Sequence, residues 1–161
     1  MSTIEAKLKV DQYFKLGFEH QLKGDVHLAI DYYKKSLDKQ PSPEAHTFLG
    51  WAYSFLGWYD EAISECHKAI QLDPEFGNAW NDIGAYLIEK GKFEEAVFYL
   101  KKAIRCKTYN TYHYAFYNLS RIWIQKGFYG RALKYLYKAL AYNANYMPAI
   151  NTLNHLTKKV N

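Results

Sequence analysis

Apolar residues along this 161-residue chain recur at helical spacing in short blocks, each broken by a glycine and a cluster of charge. Between positions 48 and 56 they are Phe48, Leu49, Ala52, Tyr53 and Leu56; between 62 and 70 they are Ala62, Ile63, Cys66, Ala69 and Ile70. Steps of three and four residues return to the same side of a helix, so each set marks one apolar face. Gly57 lies between the two sets, and glycine reaches the left-handed conformation that ends a helix at little cost. The acidic residues Asp60 and Glu61 then fall in the first turn of the second helix, where its dipole favours negative charge. Pro74 marks the exit. The block therefore predicts a helical hairpin.

The hairpin repeats. Gly17, Gly24, Ala29 and Pro41 reappear 33 positions later as Gly50, Gly57, Ala62 and Pro74. Gly84, Gly91 and Ala96 continue the series, followed by Ser120, Gly127 and Ala132. The first small residue and the later alanine suit a close crossing of two helices, with Tyr13, Tyr53, Trp80, Phe116 and Trp123 filling the space beside it. The interval from Gly84 to Ser120 is 36, which places a two-residue insertion in the Lys107 to Tyr112 turn. A period of 33 to 36 residues predicts a solenoid, in which each unit buries its apolar face on its neighbours.

At this level of detail the chain resembles the tetratricopeptide repeat family. The resemblance rests on Trp80, Ile83, Gly84, Leu87, Gly91, Phe93, Ala96, Leu100 and Ala103, and on Leu49, Gly50, Tyr53, Gly57, Tyr59, Ala62, Ala69 and Pro74. His46, Ser120, Thr108 and Ala144 depart from the family pattern. The implied fold is all-α: a right-handed solenoid of four helix-turn-helix hairpins with a C-terminal capping helix. One domain over residues 1–161 is expected, with repeats at about 10–42, 43–76, 77–112 and 113–146. The cap over 147–159 would hold Pro148 in its first turn, turn Ile150, Leu153 and Leu156 inward, and solvate its outer side with Asn151, Asn154, Lys158 and Lys159. At the other end the first helix is expected to begin near Thr3.

Proteins of this family bind peptide segments in the concave groove lined by the first helix of each hairpin. Carried over to this sequence, the groove positions are Phe14, Lys15, Phe18 and Gln21; Thr47, Phe48, Trp51 and Phe55; Asn78, Asn81, Asp82 and Ala85; and Tyr114, Tyr117, Asn118 and Arg121. The groove is aromatic, and the same helices already carry a separate apolar stripe for packing, so a second contact is expected. Asn78, Asn81 and Asn118 are candidates to bond a peptide backbone. The family's carboxylate clamp for chaperone tails is absent, since Phe14, Phe18, Asn78 and Asp82 stand where its Lys, Asn and Arg belong. The expected partner is a segment with apolar or aromatic anchors.

Charge adds one asymmetry. Residues 1–95 hold all 16 acidic residues against 10 lysines, whereas 96–161 hold 11 Lys and Arg and no acid, within an overall +5. Arg131, Lys134 and Lys138 share one helix face, and Lys101, Lys102 and Arg105 occupy the equivalent helix one unit earlier. This outer face reads first as a solvated surface, with an acidic partner or anionic surface as the alternative and nucleic acid behind both, because no phosphate loop or nucleic-acid motif accompanies it.

Catalysis has no visible basis. The six histidines show no metal-ligand spacing, and no nucleophile motif is present, so neither metal nor cofactor is expected. Cys66 and Cys106 lack disulfide or metal spacing, no apolar run suits a signal or membrane span, and a reducing cytoplasmic setting is expected. The sequence reads as a non-enzymatic scaffold or adaptor. The alternatives are a secretion-type chaperone and a self-assembling unit forming a weak homo-oligomer.

Overall fold

The computed structural model describes residues 3–160, with side chains described for 10–158. Nine helices follow one another among these residues: α1 Thr3–Leu22, α2 Val26–Lys39, α3 Pro43–Phe55, α4 Tyr59–Leu72, α5 Gly77–Glu89, α6 Phe93–Arg105, α7 Tyr112–Gln125, α8 Tyr129–Tyr142 and α9 Met147–Val160. The first eight pair into antiparallel hairpins, and α9 follows on α8. Contacts of α1 with α3, α3 with α5 and α5 with α7 line the odd-numbered helices along one face. None of the described helices is long and apolar enough to cross a membrane.

One turn is used four times. Gly24, Gly57, Gly91 and Gly127 all have positive φ, between 72° and 84°. In the second hairpin the Gly57 amide donates to the Ser54 carbonyl at 3.0 Å, and the Trp58 amide donates to the Tyr53 carbonyl at 3.1 Å. This pair of bonds satisfies carbonyls that the end of α3 would otherwise leave open. Trp58 also begins the next helix, its carbonyl accepting from the Ala62 amide at 3.0 Å. Asp25, Lys92 and Phe128 do the same in the other hairpins. Two residues thus end one helix and start its partner, which fixes the hairpin geometry.

The small residues sit where helices meet. A Cβ added at Gly17 would lie 2.6 Å from the Tyr33 ring, at Gly50 2.9 Å from the Ala62 carbonyl oxygen, and at Gly84 2.6 Å from Leu100. Ser120 occupies the fourth crossing fully buried, with its hydroxyl turned back onto the Tyr117 carbonyl at 2.6 Å. That local bond satisfies the extra polar group, so the fourth repeat keeps the crossing without glycine.

The core is distributed rather than central. Ala29, Ile30, Tyr33, Leu49 and Ala52 form a cluster across the first hairpin and α3, and a larger cluster runs from Ala62 to Ala149; Tyr53 packs against both. Ion pairs also cross repeats: Lys90 to Asp60, Lys126 to Glu94, and Arg121 to Glu89. In α9, Leu156 and Ala149 are buried, Ile150 and Leu153 are half-buried, and Asn151, Asn154 and Lys158 are exposed. The Lys159 side chain lies outside the described residues.

The longer turn between α6 and α7 is used for packing. Tyr109 is buried within it, so close to Gly77 that a Cβ there would lie 2.4 Å from the tyrosine. The Thr108 hydroxyl donates to the Glu75 carbonyl and the Lys107 amide to the Glu75 carboxylate, both at 2.8 Å. The extra residues thereby dock onto the preceding inter-repeat loop.

Candidate functional site

The odd-numbered helices enclose a concave cavity of about 420 Å³. Its lining is Phe18 from α1, Thr47, Phe48 and Trp51 from α3, Asn78, Asn81 and Asp82 from α5, and Thr111 and Tyr114 at the start of α7. Eight of these nine are groove positions read from the sequence. Thr111, which that reading missed, enters because it precedes the first residue of α7 at the end of the longer turn; its hydroxyl donates to Asn78 Oδ1 at 3.2 Å.

The α1 and α3 part is aromatic. Phe18 meets Phe48 edge to face at 5.7 Å between centroids, Phe48 meets Trp51 at 5.8 Å, and Trp51 meets Phe55 at 5.4 Å. Such geometry aligns ring edges with π faces and holds the rings in fixed orientation. Phe18, Phe55 and Tyr114 are exposed, whereas Phe48 and Trp51 are half-buried. Phe14 packs on Tyr33 and Phe48 at 5.7 and 5.1 Å, and it borders a smaller recess between α1, α2 and α3 instead of the main cavity. Lys15 and Phe55 are exposed outside the cavity lining. Gln21 is buried, its Oε1 accepting from the Tyr33 hydroxyl at 2.8 Å.

The α5 and α7 part is polar and internally bonded. Arg121 donates from Nη1 to Asn118 Oδ1 at 3.2 Å, Asn118 donates to Asn81 Oδ1 at 3.1 Å, and Asn81 donates to Asp82 Oδ1 at 3.1 Å. A guanidinium at one end and a carboxylate at the other orient both amides in the same sense. Arg121 is also paired with Glu89. Asn81 and Asn118 are buried, so their amides chiefly serve this relay, unlike the sequence expectation of groups free for a partner backbone. Thr47 likewise turns its hydroxyl onto the Pro43 carbonyl at 2.7 Å. Tyr117 lies outside the cavity, against Tyr146 at 5.4 Å.

Burial pushes the Asp82 carboxyl up to about 7, against the opposing pull of the Asn81 hydrogen bond. It has no ion-pair partner among the described residues. Glu65, on α4, behaves differently: burial alone would raise it, but bonds from His46 and Lys68, each at 2.6 Å, bring it below the usual carboxylate range. Among the other histidines, His20 is bonded to Asp25 and stacked on Tyr32, His67 meets the Tyr99 ring edge to face at 5.9 Å, and His113 is packed against Tyr114 and Tyr146. On the outer side Arg131 lies 4.6 Å from the Trp123 ring and Lys138 lies 5.5 Å from Phe116, so part of the basic excess rests on aromatic surface. Cys66 and Cys106 are buried free thiols.

Comparison with known proteins agrees with this architecture. Family models of the tetratricopeptide repeat match residues 11–42, 43–76 and 77–107, which cover the first three hairpins and leave α7 and α8 unmatched. The small glutamine-rich tetratricopeptide repeat-containing protein 2 of Mycosarcoma maydis is 31% identical over 60% of this chain and 28% of its own length. The TPR repeat-containing protein YpiA of Bacillus subtilis is 27% identical over 92% of this chain and 38% of its own. The chain therefore spans well under half of either relative. The solved structure of PilF from Pseudomonas aeruginosa superposes with a TM-score of 0.85 at 26% identity, covering 96% of this chain and 70% of that one. Repeated hairpins, glycine-closed turns and the family matches lead to one conclusion: the chain belongs to the tetratricopeptide repeat family.

Proposed function

We propose that this protein is a non-enzymatic scaffold that captures a peptide segment of a partner protein on its concave face. The observation that carries this reading is the cavity itself, where side chains from three successive hairpins and the start of a fourth converge around aromatic walls. A groove of this kind suits an extended or helical segment whose side chains bury against Phe18, Phe48 and Trp51, since buried anchors dominate binding energy. The whole described chain acts as one interaction unit, and its buried free thiols suit a reducing compartment such as the cytoplasm.

The test compares the intact protein with the Phe18→Ala, Trp51→Ala double variant in affinity capture from native lysate, followed by measurement of the captured segment's affinity. The double variant should keep its helical circular dichroism and lose the partner. Equal capture by both would refute the reading.

A second reading has one specific support. The Pseudomonas aeruginosa relative bears the name type IV pilus assembly protein PilF and is 28% identical over 84% of this chain and 54% of its own length. An assembly role for this chain would use the same scaffold, with Phe98, Phe128, Tyr137 and Tyr142 as additional exposed contacts. Light scattering across a concentration series separates self-assembly from capture of a different protein.

A further inference from the structure

Asp82 is the sixth residue of α5, too far along the helix to bond its free N-terminal amides. Its place in the structure is therefore not explained by capping. It lines the concave cavity beside Asn78 and Asn81, and across from it stand Phe18, Phe48, Trp51 and Tyr114. One of its oxygens, Oδ1, accepts from Asn81, and no described Lys or Arg pairs with it.

The cation that the protein does supply nearby is already engaged. Arg121 reaches Asp82 only through two asparagine side chains, while its own charge is held by Glu89. The relay orients the Asn81 amide toward the carboxylate and leaves that carboxylate without a counter-ion among the described residues. Burial raises Asp82 to about 7, as expected for an acid sheltered by rings and lacking a partner charge.

An occupant of the cavity must deal with this group. An apolar side chain would remove the remaining water from the carboxyl without replacing its hydrogen bonds, which is costly. A guanidinium would satisfy it: the planar cation pairs with a carboxylate and stacks on aromatic faces at the same time. We propose that the concave cavity is a receptor for an arginine side chain of the bound segment, with Asp82 as its counter-ion and Phe48 and Trp51 as its walls. This rests on the reading that the concave face binds a segment. It adds a charged anchor to the apolar ones that the aromatic groove suggests.

The site is testable without knowing the natural partner. The full chain is titrated with N-acetyl-leucyl-arginine amide and with its neutral isostere N-acetyl-leucyl-citrulline amide, followed by the Trp51 indole resonance. The arginine probe should bind saturably and roughly tenfold more tightly than the citrulline probe, in keeping with a sheltered charge-assisted contact. In Asp82→Asn that preference should collapse to about one, with the spectrum still that of a folded protein. Equal affinity of the two probes for the unaltered protein would overturn the arginine assignment and leave the concave-face reading standing. Binding of neither probe, or binding that Phe48→Ala does not weaken, would also overturn the arginine assignment, while equal capture by the Phe18→Ala, Trp51→Ala double variant is what overturns the concave-face reading.

Discussion

The two halves of the concave face solve different problems. In the α1 and α3 half, Phe18, Phe48, Trp51 and Phe55 touch edge to face and present apolar surface. In the α5 and α7 half, Arg121, Asn118, Asn81 and Asp82 are joined by hydrogen bonds into a relay that ends on a carboxylate with no ion-pair partner among the described residues. The scaffold beneath them is the same hairpin, turned by the same glycine. The difference shows that the repeat fixes backbone positions, while a few outward residues decide whether a stretch of groove offers area or charge.

Removing the aromatic half should have the largest effect. Phe18→Ala with Trp51→Ala should weaken capture of a partner segment by 2 kcal/mol or more, about a thirtyfold loss, with little change in helical content; titration calorimetry reads the affinity. A loss confined to helicity would instead make these rings structural.

The polar half should respond in the opposite direction in the free protein. Folded Asp82 keeps its proton to about pH 7, whereas an unfolded aspartic acid releases it near 4, so the folded state binds more protons between these values. This contribution makes stability fall as pH rises from about 4 to about 7 and stay level above. Cys66, Tyr86 and Tyr109, the titratable groups coupled to Asp82, are all pushed upward by burial and remain neutral in this window. Asp82→Asn removes the effect. The variant should match the unaltered protein at pH 4 and exceed it by about 2 kcal/mol at pH 8 in urea unfolding, a figure discounted for the residual solvent access of the cavity. A carboxylate retained at such a cost fits a binding role.

Cutting the relay gives a smaller effect. Asn118→Ala leaves the buried Asn81 Oδ1 without its donor and should destabilise the protein by about 1–2 kcal/mol in the same assay. The smallest effect belongs to the exposed inter-repeat pairs: Lys126→Gln, which breaks the pair with Glu94, should cost under about 0.5 kcal/mol and less at high salt.

The scaffold was legible in the sequence because it depends on local rules. Gly57 had to be glycine for a positive φ, Gly84 because Leu100 fills the space where a side chain would stand, and both constraints leave a mark at fixed intervals. The groove's lining was legible for the same reason, since repeat position sets which side of the helix a residue takes. What escaped were pairings across repeats. Asn81 and Asn118 are 37 residues apart, near one repeat period, so their adjacency could have been inferred, but the direction of the bonds depends on side-chain torsions and on the charges at each end. Tyr109 was hidden inside an insertion with no counterpart in the other repeats, and Phe14 satisfied the groove position while its ring turned to Tyr33.

Four tryptophans provide the most direct test of the concave-face account. Trp51 lines the cavity, Trp58 closes the second turn, Trp80 donates to the Pro74 carbonyl, and Trp123 lies under Arg131. A spectrum of the four indole N–H resonances, recorded while N-acetyl-leucyl-arginine amide is added, reports where binding occurs. Binding on the concave face should give a saturable shift at Trp51 with the other three nearly unmoved; a shift at Trp80 or Trp123 with Trp51 unchanged would place the site elsewhere.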